Sequence, residues 1–171
     1  HRVLLATVVK TWGSSPRPVG SMMALREDGH CVGSVSGGCI EDELIHRYTR
    51  AFGGEGFADG PPVVVCYGVT ADEAHRFGLP CGGTLELLLE FQPGFAALDT
   101  LVQMLASGQL VRRTVVCATG VVTLASAPTP TPLHFDGTTL SSTPGPPYRM
   151  LRIGAGALAA YVATMALFNE Y

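Results

Sequence analysis

The chain has 171 residues, of which 47% are hydrophobic and 15% are charged, and its formal net charge is −3. This composition excludes an intrinsically disordered chain, and eleven Lys and Arg residues are too few for a broad nucleic-acid-binding surface. We find no secretory signal and no apolar stretch of the roughly 20 residues that a membrane-spanning helix needs. The sequence therefore predicts a cytoplasmic α/β protein of about one domain in size, without nucleic-acid or membrane partners.

The first third of the chain predicts three strands and one helix. Residues 3–11 form an apolar, β-branched run that is typical of a buried strand. Residues 21–26 and 30–36 flank an Asp-Gly pair, which predicts a hairpin. Apolar residues at helical spacing over 40–52 predict a helix, and the acidic residues of its first turn lie where the helix dipole favours negative charge.

The middle of the chain predicts four more strands and a second helix. Six of the twelve prolines then fall between 128 and 147, a composition that is typical of a linker or a short hairpin. We therefore expect a first domain at 1–127, a linker or hairpin at 128–147 and a further segment at 148–171. The four strands are predicted at 62–67, 84–91, 110–118 and 121–126, and the helix at 95–106.

The last segment resembles the start of a dinucleotide-binding unit. A predicted strand is followed by Gly154, Gly156 and Ala159, which occupy the three glycine positions of that motif, and then by a predicted helix up to residue 168. The acidic residue that contacts the ribose is expected roughly 20 residues further on, past the last residue of this chain. We therefore expect only one strand and one helix of a Rossmann-like domain here, and a dinucleotide as a ligand of the complete domain.

The run Ser36-Gly37-Gly38-Cys39 precedes the first predicted helix. At a helix N-terminus, unpaired N–H groups and the positive end of the dipole favour the thiolate form of a cysteine, and the same groups can hold a phosphate. The alternative is that Cys39 is a small buried residue and that the two glycines only permit a tight turn. The residues alone favour this alternative, because a free cysteine is usually buried and inert.

A second cysteine, Cys81, is followed by Gly82 and Gly83 and then by a predicted strand. Because no helix follows Cys81, the residues alone favour a structural role. Cys66 lies in an apolar strand, where core packing is expected. Arg17 lies between two prolines that stiffen its loop. A guanidinium on such a loop suits an anion, and a solvated turn is the equal alternative.

Three runs of the sequence together resemble the XdhC/CoxI family, whose members are accessory proteins of xanthine dehydrogenase and CO dehydrogenase-type molybdenum enzymes. The resemblance implies an α/β fold in which an N-terminal mixed-sheet α/β domain carries both cysteine motifs and a Rossmann-like domain follows. The chain departs from the family pattern at Ala157, where a histidine is usual. The three runs are TVVKTWGSSPRPVGSMMAL (7–25), VGSVSGGCIEDELI (32–45) and RFGLPCGGTLELLLE (76–90).

The resemblance implies that the chain binds the molybdenum cofactor (molybdopterin), protects it while a terminal sulfur is installed, and passes it to an apo-enzyme. Molybdenum is thiophilic, so Cys39 or Cys81 would ligate the metal or hold a transferable sulfur, and we expect these two cysteines to lie close together. The implied partners are a molybdenum hydroxylase of the xanthine or CO dehydrogenase type and a sulfurtransferase. The implied cofactor-binding residues are Arg17, Ser36, Gly37, Gly38, Cys39, Cys81, Gly82 and Gly83.

Two other functions stay open beside this cofactor chaperone, which would not be an enzyme in the strict sense. The glycine turn at 154–156 favours a nucleotide-dependent oxidoreductase, although the motif is incomplete. A scaffold that recruits the dehydrogenase and a sulfurtransferase is the third. The apolar face of the last predicted helix also favours a homodimer, because such a face needs a cover.

Overall fold

Five antiparallel strands form the first sheet of the computed structural model, which describes residues 1–13, 15, 17–57, 59–68, 83–144, 160–162 and 164–165. The predicted strands at 3–11, 62–67 and 84–91 and the hairpin across the Asp-Gly turn are confirmed. The five strands are β1 (Val3–Trp12), β2 (Met22–Arg26), β3 (Cys31–Gly33), β4 (Val63–Tyr67) and β5 (Thr84–Phe91), and their spatial order is β3-β2-β1-β5-β4.

Four further strands form a second antiparallel sheet. The strands predicted at 110–118 and 121–126 pair with each other, and a hairpin at 134–142 lies inside the proline-rich stretch. The second strand of that hairpin pairs with the strand at 111–116, so this part of the stretch belongs to the sheet. The strands are β6 (Val111–Val116), β7 (Val121–Ser126), β8 (His134–Phe135) and β9 (Thr139–Ser142), in the order β7-β6-β9-β8.

The expectation of a mixed sheet is wrong, because every strand pair in the described residues is antiparallel. The strands β1 and β5 are apolar along almost their whole length because both of their faces are buried, a pattern that is typical of parallel sheets covered by helices. Here a helix covers one face and the second sheet covers the other. Leu4 and Leu87 pack on the helix side, whereas Val9 and Leu88 pack against Val115 of β6.

The first helix, α1 (Cys39–Tyr48), is shorter than predicted and is followed by a 3-10 turn at Arg50–Phe52. Gly53 ends this turn with a left-handed φ of 82°, as expected of a glycine after a helix. The second helix, α2 (Phe95–Ala106), has the predicted bounds. No helix in the described part of the chain is long and apolar enough to span a membrane.

The Rossmann-like start is described only at 160–162 and 164–165, which are helical. The predicted strand before it, with Gly154, Gly156 and Ala159, lies outside the described residues. The nucleotide-binding assignment of these three residues therefore stays a prediction, as do the domain boundaries at 127 and 148.

A buried ion pair joins the two sheets. Glu90 of β5 and Arg113 of β6 have side chains that are only 3% and 2% exposed. Arg113 donates from Nη1 to Oε1 of Glu90 at 3.0 Å and from Nη2 to Oε2 at 2.6 Å. This bidentate ion pair fixes the position of one sheet against the other.

Candidate functional site

The turn before α1 is built on two glycines with positive φ. Gly37 has a φ of 98° and Gly38 a φ of 149°, a backbone conformation that a side chain disfavours. The turn leads from β3, through Ser34 and the buried Ser36, to Cys39 at the first position of the helix. The backbone conformation of the turn is therefore enough to explain why glycine occupies both positions, without any ligand.

The carboxylate of Glu41 occupies the concave side of this turn. Its side chain reaches back from the first turn of α1 and accepts hydrogen bonds from backbone N–H groups of the turn, which the sequence predicts as donors to a phosphate. It also accepts hydrogen bonds from the hydroxyls of Ser34, at 2.7 Å, and Ser36. The four backbone donors are the N–H groups of Val35 (2.7 Å), Ser36 (2.8 Å), Gly37 (3.1 Å) and Gly38 (2.8 Å).

The environment of Glu41 keeps it charged. Burial alone would raise the pKa of this carboxyl, but the hydrogen bonds from Ser36, Ser34 and Gly37 outweigh burial and hold the pKa well below its ordinary value. Sequence reasoning had placed Glu41 in the helix dipole and had missed that it fills the turn. The signal was available in the position of Glu41 three residues after the N-cap Gly38, from which a glutamate side chain can reach back to the N-cap N–H as in one half of a capping box.

Cys39 lies at the first position of α1 and is exposed. The alternative of a small buried cysteine is therefore wrong. The next residue, Ile40, is fully buried and anchors the helix in the core, while its N–H donates to the hydroxyl of Ser36 at 3.2 Å. The thiol is thus presented on a firmly held helix end.

Arg17 is brought to the same turn by a chain of hydrogen bonds. Its Nε donates to the Ser34 hydroxyl at 3.2 Å, and that hydroxyl donates in turn to Glu41 at 2.7 Å. The Ser15 hydroxyl donates to the Arg17 carbonyl at 2.9 Å and holds the loop. The structure thereby unites Arg17 with the turn that carries Cys39.

The second cysteine motif is described only at its end. Gly83 is buried directly before β5, where Thr84 pairs with Trp12 of β1. Cys81 and Gly82 lie outside the described residues. The proximity of Cys39 and Cys81, and the roles of Gly82 and Gly83, therefore stay predictions.

The remaining described cysteines differ in exposure. Cys66 is exposed, so the expected core position is wrong, whereas Cys31 and Cys117 are half-buried. Burial raises the pKa of the Cys31, Cys66 and Cys117 thiols. Among the residues that the structure describes, no group of three or more His, Cys, Asp and Glu side chains could hold a metal ion. Any thiol chemistry of the described part thus centres on the exposed cysteines.

We expect Cys39 to react with iodoacetamide before Cys31, Cys66 and Cys117 in the folded chain, because alkylation requires an accessible thiolate: Cys39 is exposed, and burial raises the pKa of the other three thiols. Timed alkylation followed by peptide mass spectrometry measures the four rates. In denaturant the four cysteines should react at similar rates. Faster labelling of Cys31 than of Cys39 in the folded chain would contradict the described arrangement.

Comparison with known proteins connects this turn to a family. The sequence profile of the XdhC and CoxI family matches residues 1–68, which contain Arg17, the glycine turn and Cys39. The chain is 36% identical over 104 residues to the molybdenum cofactor insertion chaperone PaoD of Escherichia coli K12, a match that covers 58% of this chain and 31% of PaoD.

Two further proteins are similar over shorter or more distant matches. A probable xanthine dehydrogenase subunit of Bacillus subtilis 168 is 39% identical over 47 residues, which cover 28% of this chain and 14% of that protein. The crystal structure of a xanthine dehydrogenase from Bacillus halodurans matches 85% of this chain and 49% of its own, with a TM-score of 0.57 and 24% identity. The chain thus spans less than a third of the length of PaoD and of the Bacillus subtilis protein, and the structural match shows the fold alone.

Proposed function

We propose that the chain is a member of the XdhC and CoxI family, whose profile matches residues 1–68, and that it binds the molybdenum cofactor and assists its insertion into a molybdenum enzyme of the xanthine dehydrogenase type. The observation that carries the proposal is the 36% identity over 104 residues to a protein named as a molybdenum cofactor insertion chaperone. The cofactor is then cargo rather than a resident group, so an accessible site is required.

The exposed thiol of Cys39 meets this requirement. Thiolate is a soft ligand that suits a thiophilic metal, and an exposed site with few protein ligands can release its cargo more readily than a closed set of ligands. We propose that Cys81 supplies a second thiol to the same cargo. The cofactor would stay shielded on the chain while a sulfurtransferase installs its terminal sulfur.

Arg17 is our candidate for the phosphate of the cofactor. The N–H groups of Gly37 and Gly38 are engaged by Glu41, so the turn has few backbone donors left to offer. Arg17 commits its Nε to Ser34, and its guanidinium carries further N–H donors. A phosphate on Arg17 would lie one hydrogen-bonded step from the turn that presents Cys39.

A Cys39→Ser variant should activate an apo-xanthine dehydrogenase at least about tenfold more slowly than the unmodified chain, because ligation changes around a metal cost that much or more. The measurement loads the chain anaerobically with cofactor, mixes it with apo-enzyme and follows the return of hydroxylase activity. Cys66→Ser is the matched control, because Cys66 is also exposed but lies on β4, at the opposite edge of the first sheet from β3, the strand that leads into the glycine turn.

Equal activation by the Cys39→Ser/Cys81→Ser double variant would overturn the carrier role. If the double variant still captured the dehydrogenase in a pull-down, a scaffold would explain both results. Loss of cofactor binding in the double variant, with binding intact in Cys66→Ser, would support the carrier and separate it from a scaffold.

A further inference from the structure

The strand β7 forms one edge of the second sheet, because β6 is its only neighbouring strand in the described part of the chain. Ala127, directly after β7, donates its N–H to the carbonyl of Leu110 at 2.8 Å. Residues of an antiparallel strand alternately face their partner and face away from it, so Val122, Leu124 and Ser126 direct their N–H and C=O groups away from β6. The edge therefore offers a regular row of backbone donors and acceptors to a further strand.

The sequence of β7 lacks the features that keep open sheet edges from pairing. Its residues, VVTLAS, include no charged side chain, no proline and no glycine, and its pairing with β6 continues over all six residues without a shift in register. The other edge strands differ. The strands β3 and β8 have only three and two residues, and β4 directly follows Pro61 and Pro62. The strand β7 is therefore the edge that is best suited to pairing.

The side chains of β7 favour an uncharged neighbour. Val122 and Leu124 are on the face that is turned to the first sheet, where Val122 packs against the core between the sheets, yet both are only half-buried. On the other face Val121 is 53% exposed, and Thr123 and Ala125 are exposed as well. A further strand would complete the burial of the half-buried apolar pair and cover the exposed row.

We infer that β7 pairs in antiparallel orientation with β7 of a second copy of this chain, around a two-fold axis at Leu124. The two four-stranded sheets would then form one continuous sheet. The outward-facing backbone groups set this register, in which Leu124 lies opposite Leu124 of the second copy and Val122 lies opposite Ser126. On the exposed face, Thr123 lies opposite Ala125 of the second copy.

The charge pattern favours a second copy as the partner. An interface around a two-fold axis brings the same surface of both chains together, so a charged edge strand would place like charges near each other, which destabilises the pairing. The uncharged β7 meets its own copy without that cost, and it offers no counter-charge to a charged strand of another protein. The inference is independent of the proposed function, because it uses neither the glycine turn nor a cysteine.

The test introduces like charges across the proposed axis with the double variant Thr123→Glu/Ala125→Glu. In the proposed register the carboxylate at position 123 lies opposite the carboxylate at position 125 of the second copy, and two such pairs form. We expect the unmodified chain to sediment as a dimer and the dissociation constant of the variant to rise about tenfold or more. Sedimentation equilibrium measures both constants.

A second variant, Thr123→Lys/Ala125→Glu, differs from the first only at position 123. It keeps the carboxylate at position 125 beside Arg112 of β6 but places opposite charges across the axis, so it should dimerise at least as tightly as the unmodified chain. The matched control is Val64→Lys/Cys66→Lys, which places two charges at exposed positions of β4 and should leave the dissociation constant unchanged. Urea denaturation checks that each variant is folded.

Recovery of the dimer in Thr123→Lys/Ala125→Glu, after its weakening in Thr123→Glu/Ala125→Glu, would support the pairing and its register. An unmodified chain that stays monomeric at all concentrations would overturn the inference. Equal weakening by the two β7 variants would also overturn it, as would a dimer that only the β4 variant disrupts.

Discussion

Replacing Arg113 with methionine should lower the free energy of unfolding by about 3–5 kcal/mol, because the substitution leaves the carboxylate of Glu90 buried without its partner. The two side chains are 2% and 3% exposed and meet through hydrogen bonds of 3.0 Å and 2.6 Å. The loss of a buried ion's partner costs far more than the loss of a surface pair. Urea denaturation at neutral pH measures the change.

Two further variants make this result specific. Arg112→Met removes an exposed arginine from the same strand and should leave the free energy of unfolding nearly unchanged. The double variant Arg113→Met/Glu90→Leu should recover most of the loss, because a hydrophobic pair can replace a buried ion pair without penalty. A single Arg113→Met variant that is as stable as Arg112→Met would refute the buried pair between the sheets.

Glu41→Gln should lower the free energy of unfolding by about 2–4 kcal/mol, because the amide cannot accept all the hydrogen bonds that the carboxylate now accepts. Four backbone N–H groups and two hydroxyls donate to Glu41, and the amide nitrogen of the variant would face donors. Urea denaturation at pH 7 measures the loss. Asp42→Asn is the matched control, because Asp42 is exposed in the same helical turn and its replacement should have little effect.

The effect of Glu41→Gln should depend on pH. The pKa of Glu41 is held below the ordinary value of 4.5, so its contribution to stability is complete above that value and is lost as the pH falls through the lowered pKa. The difference between the unmodified chain and Glu41→Gln should therefore shrink when unfolding is measured well below pH 4.5. A difference that stays constant over this range would show that the carboxylate has no special stabilisation.

Local patterns in the sequence predict the elements of this fold well but not their assembly. The bounds of α2 and the positions of β1, β4 and β5 follow from periodicity and from the residues that end each element. The apolar runs of β1 and β5 indicate burial on both faces, but they do not say what covers each face. Either a second sheet or a layer of helices can bury such a face. The sequence pattern is the same in both cases, so it predicts a mixed sheet where the structure has two antiparallel sheets.

The candidate site shows the same division. The sequence places Cys39 at a helix start, and this is confirmed, but exposure depends on tertiary packing and could not be predicted. The glycine turn predicts a phosphate site because the sequence shows that backbone N–H donors are present. It does not show that the Glu41 carboxylate already accepts their hydrogen bonds. Glu41 was identified only by its position in the helix.

The strand order of the first sheet has a consequence for the way the chain becomes folded during synthesis. The central strand β1 pairs along most of its length with β5, and β5 also pairs with the edge strand β4. The segment 1–68 holds four of the five strands but lacks the one that joins β1 to β4. The nascent chain must therefore keep both open edges from aggregating until residues 84–91 leave the ribosome, and long-range pairing of this kind makes folding slow.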